Sequence, residues 1–132
     1  MSSGVRAVVA GHGGFAAGLV SAVDQITGRG AELATMSNRD LGGAAIEERL
    51  REHVESGVRV IFTDLPAGSV TIAARRIMCD HPELSLVTGA NVAALLEFVM
   101  ADAGDDAAAG RAAEKGRQAL ASHRVTGVAR AD

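Results

Sequence analysis

Val5-Arg6-Ala7-Val8-Val9-Ala10-Gly11-His12-Gly13-Gly14-Phe15-Ala16 is the stretch that decides how this chain folds. Residues 5–10 are a short β-branched run closed by Gly11, the pattern of a strand buried in a sheet. The period changes at Phe15. Phe15, Leu19, Val23 and Ile26 recur at spacings of four, four and three, which predicts a helix over 15–27 with one apolar face and Gly28 as its C-terminal cap.

The same unit repeats along the chain. Residues 32–36 form a weaker strand. Ile46, Leu50 and Val54 line a second helix, charged on its other face through Glu47, Glu48, Arg49, Arg51 and Glu52 and ended by Gly57. The strongest strand covers 58–63 and ends on Asp64. Pro66-Ala67-Gly68 is a loop, and Ser69 is expected to cap a helix running to about Met78. Residues 84–87 form a fourth strand, and Asn91 caps a helix through Leu95, Leu96 and Val99. A Gly/Asp-rich hinge at 102–106 leads to a last helix ending near Ser122. The tail 124–128 reads as a final edge strand.

Alternating strands and helices with short loops predict an α/β fold: a doubly wound, mainly parallel open sheet with helices on both faces, one domain over 1–132. Right-handed crossovers put every strand C-terminus on one edge, where ligands bind at the reversal of strand order. The His12 loop and the Asp64 loop are therefore expected to meet.

Composition excludes several functions. Nearly half the chain is apolar, so it can bury a core, but it has three Phe and neither Trp nor Tyr. Base stacking is poorly served, and a net charge of −3 offers no basic face, so no nucleic-acid partner is expected. Cys79 is the single cysteine and fits a reducing compartment. The start lacks the basic and apolar runs of a signal peptide, and the apolar stretch at 92–100 contains Glu97 and is too short to span a bilayer. A cytoplasmic protein is expected.

His12 stands between glycines, after a strand and before a helix, where a buried core role is excluded by the loop around it. The turn leaves N–H groups of Gly13 and Gly14 open to an anion, and the helix presents its positive end to the same place. A phosphoryl group on His12 would be held there without a metal or cofactor. Gly11-x-Gly13-x-x-Ala16 also fits a dinucleotide fingerprint. That motif needs an acid after strand two, and here Ser37-Asn38-Arg39 could at best mimic a 2′-phosphate site. Asp64 is placed to accept a hydrogen bond from one imidazole nitrogen, fixing the tautomer and leaving the other nitrogen nucleophilic. Ser69 and its loop partner Gly68 are in reach of the same phosphoryl oxygens. Arg75 and Arg76 follow on the next helix and could meet an acidic partner. His53 reads as a solvated position on a charged face, and His123 as the end of the last helix. Cys79-Asp80-His81 lacks two further ligands, so no metal is assigned.

The residues with this chemistry also carry a resemblance. Val8-Val9-Ala10-Gly11-His12-Gly13-Gly14-Phe15-Ala16-Ala17-Gly18-Leu19, Ile61-Phe62-Thr63-Asp64-Leu65-Pro66-Ala67-Gly68-Ser69 and Val87-Thr88-Gly89-Ala90-Asn91-Val92, followed by Leu95-Leu96-Glu97, are similar in order and spacing to the IIA domains of the mannose family of the bacterial sugar phosphotransferase system. The resemblance implies a phosphotransferase in which His12 accepts a phosphoryl group from the phosphocarrier protein HPr and Asp64 orients its ring. It implies transfer to a IIB component serving a membrane IIC/IID complex. Leu65, Pro66, Arg75 and Arg76, on and after the Asp64 loop, are the residues expected to meet a partner. It also implies a doubly wound homodimer sharing an edge strand, for which the tail 124–128 is a candidate. A regulatory paralogue that senses phosphorylation and a dihydroxyacetone-kinase phosphodonor are the alternatives within this resemblance. One departure stands out. The family loop commonly reads Gly-Gly-Ser/Thr-Pro, where this chain has Ala67-Gly68-Ser69-Val70. Alanine tolerates positive φ poorly and valine does not pre-set φ, so a changed loop shape is expected.

Overall fold

β1 (Ala7–Gly11) is buried along its whole length because it lies inside a parallel sheet. It pairs with β2 (Leu33–Ser37) on one side and with β3 (Val60–Thr63) on the other, and β3 pairs with β4 (Ser85–Val87). The order is β2-β1-β3-β4, the doubly wound α/β arrangement predicted above. The structure, a computed structural model, describes residues 4–125. Most of the tail strand expected at 124–128 lies outside them, and Arg124 and Val125 carry no regular structure.

Strand period sorts the core into two layers. Ala7 and Val9 of β1, with Val60 and Phe62 of β3, face the layer covered by α1 (Phe15–Thr27), α4 (Val92–Met100) and α5 (Asp105–Ala119). Val8, Ala10 and Ile61 face the opposite layer, where α2 (Gly43–Glu55) supplies Ile46, Leu50 and Val54 and α3 (Ser69–Asp80) supplies Val70, Ala73, Ala74 and Ile77. Because both faces are covered, the central strands read as continuous apolar runs rather than alternating ones. Phe62 meets Phe98 edge-on at 5.2 Å, and the Arg6 guanidinium lies 4.4 Å above the Phe98 ring. Arg6 also bonds Glu32 and Asp105, tying the foot of the sheet to α5.

Several expectations at element ends are corrected. The buried line of α1 runs through Ala16 and Val23, and Ile26 is 62% exposed. At 100° per residue, Ile26 points ~60° away from Val23, in the last turn. β3 begins at Val60, since the Val58 amide still bonds back to the His53 carbonyl at 3.1 Å. His53 is half-buried rather than solvated, and that burial pushes its pKa down against the opposing effect of Glu52. α5 stops at Ala119 because residues 117–125 are exposed and find no layer to cover, which leaves His123 beyond the helix.

Asn91 caps α4 as expected, accepting from the Ala94 amide at 2.9 Å, and its Nδ2 also donates to the Gly116 carbonyl at 2.9 Å. One side chain therefore satisfies a helix start and joins α4 to α5, against a Gly116 whose Cβ would come within 3.0 Å of Ala94. Asn91→Ala is expected to lower the unfolding free energy by roughly 1–3 kcal/mol. Urea denaturation checks this. Asn91→Asp, which keeps the cap acceptor, should recover part of the loss.

Candidate functional site

Register places the two loops. Gly11 pairs with Ser37 and Ala10 with Thr63, so the residue after β1 emerges between Asn38 and Asp64. This is the sheet edge at which strand order reverses, the position such folds use for ligands.

His12 and Asp64 meet there twice. The His12 amide donates to Asp64 Oδ2 at 2.8 Å, and His12 Nδ1 lies 2.8 Å from the same oxygen. Beside a carboxylate, Nδ1 holds the proton and Nε2 keeps its lone pair on the far side of the ring. The His12 side chain is 48% exposed while Asp64 is 11% exposed, so a reactive ring rests on a sunken anchor. Burial by itself would raise the Asp64 pKa. The His12 amide, its ring N–H and, once the ring is protonated, its charge outweigh burial, and the carboxyl is held below its ordinary value. Asp64 Oδ1 is buried without a hydrogen-bond partner among the described residues, so the anchoring passes through Oδ2 alone.

Gly11 makes that approach possible. A Cβ there would lie 2.6 Å from Phe15 Cδ2 and 2.8 Å from Asp64 Oδ2. Gly11→Ala must push the carboxylate or the Phe15 ring aside, at an expected cost of roughly 1–3 kcal/mol. Urea unfolding, with the His12 ring resonances in NMR as a local probe, would report both the loss and the displaced pair.

The Asp64 loop is held from below by two threonines that sequence reading passed over. Thr63 and Thr71 are buried, their hydroxyls 2.8 Å apart, and Thr71 Oγ1 lies 2.5 Å from the Leu65 carbonyl. Gly68 takes a positive φ of 106°, whereas Ala67 does not, so alanine in the loop is unstrained. Val70 is buried in the second core layer. The altered loop is accommodated because the one residue that needs positive φ is still glycine.

Ser69 does not cap α3 as expected. Gly68 is the N-cap, and Ser69 is the first helical residue, with no cap bond from its hydroxyl. Ser69 lies one position inside the helix, so it lacks the extended N-cap conformation from which a hydroxyl accepts the N2 or N3 amide. Gly68 closes over the ring, its would-be Cβ 3.5 Å from His12 Cε1. Gly13 has φ 54°, and its amide faces Asn38 Oδ1 at 3.4 Å rather than standing open. Gly14 is exposed at the start of α1. Leu65 and Pro66 are exposed beside the site, Arg75 is exposed on α3, and Arg76 lies 3.8 Å from Glu47. Cys79-Asp80-His81 ends α3, where Asp80 pairs with Arg51 and His81 with Glu83. Among the described residues no group of three His, Cys, Asp or Glu could hold a metal, and no helix is long and apolar enough to cross a membrane.

A half-exposed imidazole with one nitrogen fixed by a largely sunken carboxylate can act as a nucleophile or pass a proton. Comparison with known proteins narrows this. Residues 6–115 match the family model described as PTS system fructose IIA component. No curated protein matches. Among solved structures, the mannose/sorbose specific IIA subunit of the phosphotransferase system from Enterococcus faecalis is 20% identical with a TM-score of 0.79, the alignment covering 96% of this chain and 98% of that one. The PTS IIA protein associated with the fucose utilization operon of Streptococcus pneumoniae is 21% identical with a TM-score of 0.76, covering 92% and 96%. At such identities the structures speak for the fold, and the family model speaks for the family.

Proposed function

This chain belongs to the PTS system fructose IIA component family, the mannose-type IIA domains, and from that premise we propose that it carries a phosphoryl group on Nε2 of His12. The observation behind this is the 2.8 Å contact of Nδ1 with Asp64 Oδ2 on a ring that is half exposed. The Nε2 lone pair attacks the phosphorus of the phosphohistidine on HPr. The donor P–N bond breaks, its electron pair returns to the donor imidazole, and a P–Nε2 bond forms. The His12 ring becomes cationic, and Asp64 balances that charge. The step balances without a cofactor. Transfer onward to a IIB component is the same displacement in the other direction, feeding a sugar that enters through a IIC/IID complex.

Gly13, Gly14, Gly68 and Ser69 surround the phosphoryl group in this reading. Leu65, Pro66, Arg75 and Arg76 form the face that HPr and IIB meet, which their exposure supports. Residues 1–132 act as one cytoplasmic IIA-type unit, paired as a homodimer. Incubation with phosphorylated HPr is expected to give one acid-labile, base-stable phosphoryl group per chain, drained by a IIB component. Absence of label overturns the reading. Label that a dihydroxyacetone kinase drains, or that no acceptor drains, assigns the same chemistry to the phosphodonor or to a regulatory protein.

A further inference from the structure

Arg39 stands two residues beyond β2, in a turn that carries it toward the His12 loop. The Arg39 amide donates to Ser37 Oγ at 3.1 Å, the Leu41 amide bonds back to the Asn38 carbonyl at 3.0 Å, and Asp40 takes φ 63°. This tight reversal fixes the backbone that bears the guanidinium. Asn38 reaches the Gly13 amide, and a Cβ built on Gly13 would lie 3.4 Å from Arg39 Nη2. A cation therefore lies against the residue that follows His12.

That cation has no carboxylate partner among the described residues; Arg49, Arg59, Arg75 and Arg111 have none either, and what sets Arg39 apart is its place against Gly13. The charge balance of the site calls for a cation. Asp64 is balanced by the cationic ring, so the phosphoryl group brings nearly two further negative charges that Asp64 cannot offset. Of the backbone donors in the turn, the Gly13 amide is turned toward Asn38. A guanidinium has the fork geometry to donate two N–H groups to phosphoryl oxygens.

We propose that Arg39 is a phosphoryl ligand of this site, closing from the β2 side onto the oxygens of the group borne by His12 while Asp64 holds the ring from the β3 side. The proposal rests on the reading of His12 as the carrier. Arg39 makes no bond to carbon, nitrogen or phosphorus; it neutralises the transferring group as the P–N bonds exchange.

The test is single-turnover transfer from phosphorylated HPr to wild type, Arg39→Ala, Arg39→Lys and, as a remote exposed arginine on α2, Arg49→Ala. At saturating donor, Arg39→Ala is expected to transfer roughly 10- to 100-fold more slowly. Arg39→Lys should fall between, since lysine keeps the charge and loses the fork. Arg49→Ala should match wild type. The deficit should persist at about 1 M salt, where the Debye length is ~3 Å and partner steering is screened. The 31P resonance of phosphorylated Arg39→Ala should also move from its wild-type position. An unchanged saturating rate overturns the proposal, as does a deficit confined to low donor concentration or abolished by salt. Those outcomes leave the His12 reading intact. A wild type that takes no label overturns both.

Discussion

His12→Ala is expected to take up no phosphoryl label from phosphorylated HPr, while its circular dichroism and urea midpoint stay near those of wild type. The loss is complete because the reacting nitrogen is gone and no other imidazole stands at that sheet edge. His53 is half-buried on α2, His81 follows α3 and pairs with Glu83, and His123 lies past α5. Stability is spared because the substitution keeps the backbone amide that donates to Asp64 Oδ2 at 2.8 Å. Only the half-exposed ring contact is lost, a change of roughly 1 kcal/mol or less. Undiminished label on this variant would move the phosphoryl group to another residue and sink the assignment. A collapsed fold would show instead that the ring is structural.

Asp64→Asn is expected to keep the fold and to transfer roughly 100-fold more slowly at saturating donor. If the asparagine oxygen takes the place of Oδ2, it accepts the same two hydrogen bonds, but the charge that balances the cationic phosphoimidazole is gone. Its NH2 then occupies the position of Oδ1, which is buried without a partner, and two donors are left unsatisfied. If the amide turns over, its N–H faces Nδ1, the ring proton moves to Nε2, and the nucleophilic lone pair is lost. Either arrangement is slow, and quenched-flow measurement of label on His12 would show it. An unchanged rate rejects the orienting role.

The same pair sets an acid limit. The Asp64 pKa is lowered in the folded state, so its contribution to stability is present above the ordinary value of 3.8 and fades as pH falls through the lower folded value. The stability difference between wild type and Asp64→Asn should therefore shrink in that window, measured by urea unfolding across pH.

The change of period at Phe15 and the apolar runs of β1 and β3 were legible without coordinates, because burial on both faces leaves no polar residue to break a central strand. So was Asn91 as a cap, since the side-chain oxygen and its amide are three residues apart. The His12–Asp64 pair was expected from topology plus a glycine turn, a family resemblance gave it an expected function, and the 2.8 Å contact gave it a geometry.

Local spacing along the chain carries the alternation of strands and helices, the glycine turn around His12, and an acid at the end of the strongest strand. Tertiary structure alone decided which groups stand together across distance. Gly11 is required because Asp64 and Phe15 close on it from different elements, and Thr71 matters because it lands beside Thr63 under the loop. Arg39 reaches Gly13 only through the register of β1 against β2. Contacts of this kind have no period along the chain. They exist only once the strands have paired.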